Sequence, residues 1–192
     1  MPASPSYVLM MNPGQVSNQA GSALASSAAL TDISGGANVA GEAFSIPANF
    51  MQVGQTWRFT ASGIYSTTAT PTLLIGLYLG GVAGTALAAT IAVTTPSGVT
   101  NQSWLLEATT RVTAVGTSGT VVTQGSVTGI ESVSLTGASA STTMMPETTS
   151  TAGQSTQNTS VSNIVTVGAQ WGTSSSSNSI LCEQFIVELL TS

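Results

Sequence analysis

The residue types this chain lacks constrain it more than those it contains. Across 192 residues there is no Lys and no His. The entire charge set is Arg58 and Arg111 against Asp32, Glu42, Glu107, Glu131, Glu147, Glu183 and Glu188. Chains that stay disordered combine low hydrophobicity with high net charge. This one is 42% hydrophobic, with a mean hydropathy of +0.34 and a net charge of −5. It therefore has to fold, and its surface has to be made of hydroxyls, amides and glycine. The 30 Thr and 28 Ser supply that surface.

The apolar residues are largely β-branched and alternate between Gly, Pro, Asn and Ser punctuation, which is the pattern of strands. Helical periodicity is nearly absent. Residues 18–31 hold enough Ala and Leu to suggest a helix, but Gly21 and the Ser26-Ser27 pair weaken it and extended chain is expected. Strands are expected at 43–46, 55–65, 72–79, 86–94, 103–115, 119–128, 132–136, 162–170 and 180–190, with a turn at Pro47-Ala48-Asn49. Eight to ten strands with short polar turns make an all-β, antiparallel sandwich or barrel. A chain of this length buries a full core as one domain. The expected division is an extended arm at 1–17, where Pro2, Pro5 and Pro13 bar a helix, and a β domain at 18–192. Within that domain, 137–160 reads as a long polar excursion.

Charge excludes several function classes. Binding to phosphate backbones requires clustered Lys and Arg, so no nucleic-acid partner is expected. The same lack removes attraction to anionic lipid, and no apolar run reaches the ~18 residues of a membrane helix. Met1 to Met11 lacks the basic start and long apolar stretch of a secretion signal, so synthesis in a reducing cytoplasm is expected. Cys182 is the sole cysteine and lies in the run Ile180-Leu181-Cys182, where it reads as a small buried hydrophobe.

Catalytic chemistry is equally short of parts. Without His, a Ser or Cys nucleophile has no ordinary base, and without Lys there is no Schiff base. Two carboxylates could hydrolyse a glycoside, with Glu107, Glu131, Glu147, Glu183 and Glu188 as the candidates. Outward-pointing strand residues are the simpler reading. The four-residue spacing of Glu107 and Arg111 puts both on one strand face and suggests an ion pair. Asp32 is the sole aspartate, so no calcium loop exists, and Gly35-Gly36 and Gly80-Gly81 read as turns and not phosphate loops. No enzyme, metal or cofactor is expected.

Self-association is. Strand edges are usually guarded by Lys, inward charges or Pro. The runs Leu73 to Leu79 and Phe185 to Leu190 have almost no charged gatekeepers. Burial in a closed homo-oligomer is the simplest solution. Tyr7, Met10 and Met11 on the arm, and Met144 and Met145 in the polar excursion, are the candidate partner contacts.

The stretch Phe44 to Gly81, FSIPANFMQVGQTWRFTASGIYSTTATPTLLIGLYLGG, has a distinctive cadence. An Ile-Pro-Ala-Asn-Phe turn leads into Val53-Gly54 and a strand ending Thr60-Ala61-Ser62-Gly63. A Ser/Thr loop with Thr70-Pro71-Thr72 precedes an apolar strand closing at Leu79-Gly80-Gly81. Thr94-Thr95, the strand Asn101 to Glu107, and Thr113-Ala114-Val115-Gly116 follow. Over residues 18–136 and 180–190 the pattern resembles tailed-phage virion proteins with a jelly-roll fold like that of tumour necrosis factor. The resemblance implies a homotrimer on the outside of a virus particle, as a capsid decoration (cement) subunit, a head fibre or a tail-tip receptor binder. Decoration, with the major capsid protein as partner, suits a small, nearly uncharged domain that has an arm but no separate stalk. For a glycan-binding tip, Trp57, Trp104, Trp171, Tyr65 and Tyr78 would be the stacking candidates. A bacterial surface or matrix β-protein is the third reading.

Overall fold

The computed structural model describes residues 24–25, 27–35, 44–130, 142–145 and 153–191. The arm at 1–17, with Tyr7, Met10 and Met11, and the expected strand at 132–136 lie outside them. So do Glu42, Glu131 and Glu147. Among the described residues the strands are β1 Leu24–Ala25, β2 Thr31–Asp32, β3 Ser45–Ile46, β4 Thr56–Ser66, β5 Thr72–Leu79, β6 Thr85–Ala89 and β7 Val93–Thr94. They continue as β8 Gln102–Ala114, β9 Gly119–Thr128, β10 Thr142–Met145, β11 Gln154–Gln157, β12 Asn163–Trp171 and β13 Ser179–Thr191.

These form two antiparallel sheets packed as a β-sandwich. The larger runs β1-β13-β4-β8-β9-β10, with β11 also on β9; the smaller runs β2-β12-β5-β6, with β3 on β12 and β7 on β5. The pairings are nested. The first strand meets the last, with Leu24 opposite Ile180, and β2 and β3 meet β12. Inside them β4 meets β8, and β5 meets β6.

Period-two burial accounts for the core. In β8, Trp104, Leu106, Ala108 and Val112 point inward while Leu105, Glu107, Thr109 and Arg111 point out. β4 does the same with Trp57, Phe59, Ala61 and Tyr65, and β13 with Phe185, Val187 and Leu189. The smaller sheet answers with Leu73, Ile75, Leu77, Val165, Val167 and Trp171. Three of the buried aromatics satisfy their polar ends, while the Trp57 indole N–H is buried without a partner. Trp104 Nε1 donates to the Leu181 carbonyl at 3.1 Å, Trp171 Nε1 to the Leu24 carbonyl at 3.3 Å, and the Tyr65 hydroxyl to the Gly129 carbonyl at 3.0 Å. Tyr78 points away from this core yet is only 6% exposed. Its ring occupies the space that a Cβ at Gly76 or Gly168 would need.

Three expectations change. The strand expected at 86–94 is two strands, because Thr90 turns inward and its backbone N–H and its hydroxyl both bond to the Ile75 carbonyl. The excursion at 137–160 contains β10 and β11, which pair with successive stretches of β9 and extend the larger sheet. Glu107 and Arg111 make no ion pair with each other. Four residues of strand span about 13 Å, and side chains stand off the sheet rather than along it. Arg58 instead pairs with Glu188 directly opposite on β13, at 3.4 Å.

Candidate interaction surfaces

Two surfaces stand out, and neither is built like a catalytic centre. The first is one end of the sandwich, formed by the loops 47–55, 115–118 and 158–162. They contain no charged residue. Backbone bonds tie them together: Asn49 N–H donates to the Thr159 carbonyl, Thr159 N–H to Gly116, and Gly54 N–H to Val112. The Gly116 N–H also donates to the Thr159 hydroxyl at 2.8 Å. Turns this tight need left-handed backbone, found at Asn49 (φ 60°), Gly54 (φ 94°) and Gly116 (φ 109°). Met51 anchors the first loop in the core.

On this fixed end sit exposed apolar side chains: Phe50 (39%), Val53 (63%), Val115 (48%) and Val161 (47%). Phe50 rests edge-on against buried Trp57, with ring centroids 6.0 Å apart and planes at 61°. The geometry holds apolar groups in water on loops that cannot collapse over them. Such exposure is characteristic of a surface that meets a partner. Sequence reasoning did not single these four out. They are scattered over more than a hundred residues, and only the topology gathers them.

The second surface is the outer face of the larger sheet, where hydroxyls dominate. A shallow open depression of about 300 Å³ is lined there by Thr56, Thr109, Arg111, Thr113, Val122 and Gln124. Arg111 has no ion-pair or hydrogen-bond partner among the described residues. Glu107, on the same strand and face, is likewise exposed.

The candidates named from sequence separate cleanly. Met144 is 64% exposed on the outer face of β10, whereas Met145 is 2% exposed in the chain's own core. Met145 is therefore withdrawn as a partner contact, because β10 presents the two methionines to opposite sides. The stacking aromatics Trp57, Trp104, Trp171, Tyr65 and Tyr78 are all buried, and none offers a free ring face. Cys182 is buried, and burial pushes its thiol up to about 12, leaving it protonated and unreactive at neutral pH. Asp32 uses one carboxylate oxygen to accept from the Ser34 N–H at 2.8 Å and hydroxyl at 2.6 Å, fixing a turn. No group of three or more His, Cys, Asp or Glu able to hold a metal ion occurs among the described residues.

No protein-family model matches the chain, and no curated protein does. Among solved structures it is similar to the CBM2 module of the evolved Dit of Lactobacillus casei BL23 phage J-1. Identity is 16% over 77% of this chain and 68% of that one, with a TM-score of 0.32. A superposition that loose establishes no common function.

Proposed function

We propose that this chain is a non-catalytic structural protein of a tailed-phage particle. In this reading it is a decoration subunit that self-associates, as a homotrimer, and binds the major capsid protein on the outside of the head. The observation that carries this is the rigid, uncharged, apolar loop end bearing Phe50, Val53, Val115 and Val161. The nested strand pairing supports the finer jelly-roll assignment, since a jelly roll wraps its chain around two sheets in this order. The burial of every stacking aromatic speaks against a glycan-binding tip.

Magnitudes favour a multivalent subunit. Covering the exposed part of the four side chains contributes about 1 kcal/mol each, or about 4 kcal/mol per copy. Association costs at least that much in lost translational and rotational freedom. One copy alone binds weakly; three joined copies share the entropic cost and hold firmly.

The test is the copy number of the chain in purified particles, by quantitative mass spectrometry against the shell protein. A number comparable to the shell protein is expected. A handful per particle would move the protein to the tail or a fibre tip, and absence from particles would end the virion reading.

A further inference from the structure

We propose that the Arg111 depression is completed by Glu107 of a second copy of this chain. The inference deepens the self-association reading and rests on it. Only two guanidinium groups exist in the protein. Arg58 is matched within the chain by Glu188, the residue facing it across the β4–β13 ladder. Arg111 has no such match among the described residues. Its cross-strand neighbours are Thr56 and Val122, both neutral, and the carboxylate on its own strand face is held about 13 Å away.

Glu107 has the complementary problem. Its cross-strand neighbours are Thr60 and Ser126, and no cation lies within ion-pair distance among the described residues. Arg58 and Glu188 lie on the same sheet face but are matched to each other, which leaves one free cation and one free anion on β8 among the described residues. A closed ring of copies resolves both. Each copy gives one Glu107 and receives one, so a ring of three forms three pairs and leaves neither charge over.

The surroundings fit a contact that excludes water. Leu105, two residues from Glu107 on the same face, is 37% exposed; Met144, opposite Ser126 on β10, is 64% exposed. Val122 lines the depression beside Arg111. Apolar side chains flanking both ends of the pair would dehydrate it on contact, where a charge-assisted, forked Arg–carboxylate bond is strongest. Glu183, the other exposed carboxylate among the described residues, sits at the β13 bulge between Cys182 and Gln184, without this apolar frame. The hydroxyls of the depression cannot substitute for a carboxylate, because they do not neutralise the guanidinium.

The experiment is sedimentation equilibrium on the full chain with Glu107→Arg, Arg111→Glu and the double exchange E107R/R111E. Circular dichroism verifies the fold of each. Either single variant is expected to raise the dissociation constant at least about tenfold, and the double exchange to restore the assembly. Folded single variants that keep the wild-type mass would overturn the pairing alone. A double variant that stays dissociated would overturn it too. A wild-type chain that sediments as a monomer would remove the self-association reading as well. The copy number in particles is read separately and does not depend on any of these results.

Discussion

A hydroxyl pair inside the sandwich gives the sharpest test of how this Thr-rich chain is stabilised. Thr110 on β8 and Thr123 on β9 face each other in the ladder and are 2% and 0% exposed. Their hydroxyls are 2.8 Å apart, and one donates to the other. Thr110→Val removes one hydroxyl and leaves the other with no partner in the core. An orphaned buried hydroxyl costs about 1–3 kcal/mol, and Thr123→Val costs the same by symmetry. The double variant removes both polar groups and replaces them with methyls of nearly equal shape, so its stability should lie within about 1 kcal/mol of wild type. The two substitutions are therefore strongly coupled, by about 2 kcal/mol or more. Urea unfolding followed by fluorescence of the three buried tryptophans measures this. Protein concentration must be fixed because self-association adds to apparent stability. Additive losses in the double variant would refute the reasoning, since they would mean that each hydroxyl is satisfied independently.

Other outcomes follow from the same geometry. Burial pushes Cys182 from near 9 and Tyr65 from near 10 up to about 12. The folded state then keeps protons that the unfolded chain loses, so stability is full below pH 9 and falls as pH rises towards 12. The melting temperature should drop over that window, and Cys182→Ala should delay the onset to the tyrosine range; a flat profile from pH 8 to 11 would contradict this. Gly63→Ala would drive a Cβ into the Leu181 carbonyl oxygen on β13. Backbone cannot swing aside as a side chain can, so a loss of about 3 kcal/mol or more is expected, and a loss under about 1 kcal/mol would show that the strands separate freely. The Arg58–Glu188 pair has side chains 50% and 22% exposed. Water screens it, so Glu188→Gln should cost less than about 1 kcal/mol, and less again in molar salt.

Strands that bury one face were legible because alternation and turn residues act over a few positions. β4, β8, β9 and β13 begin and end within a residue or two of where their apolar residues do. β10 and β11 were not, because edge strands that add hydroxyl-rich chain to a sheet need little apolar pattern of their own. Thr90 broke a strand that the pattern of its neighbours continues, since its inward hydroxyl bonds the Ile75 carbonyl on β5 and no apolar count registers that. The Glu107–Arg111 expectation failed on length, because sharing a face is not the same as being within reach. The loop end was invisible for a different reason. Phe50, Val53, Val115 and Val161 form a surface only after strands distant in sequence have paired.

The nested pairing also orders the events of folding. Among the nested pairs, the hairpin joining β5 to β6 closes the shortest loop, and the cost of closing a loop rises with the logarithm of its length. Once it forms, the ends of β4 and β8 are carried towards each other, so the next closure spans a short effective loop. The same holds for β12 against β2 and β3, and last for β13 against β1. Each pairing shortens the search for the one outside it, as a zip closes from its fixed end. A fold whose outermost contact joins residues from near opposite ends of the chain would otherwise be among the slowest to find. The final tooth of that zip is two residues long, Leu24 and Ala25 on the edge of the larger sheet, so the last step of assembly is also the easiest to undo.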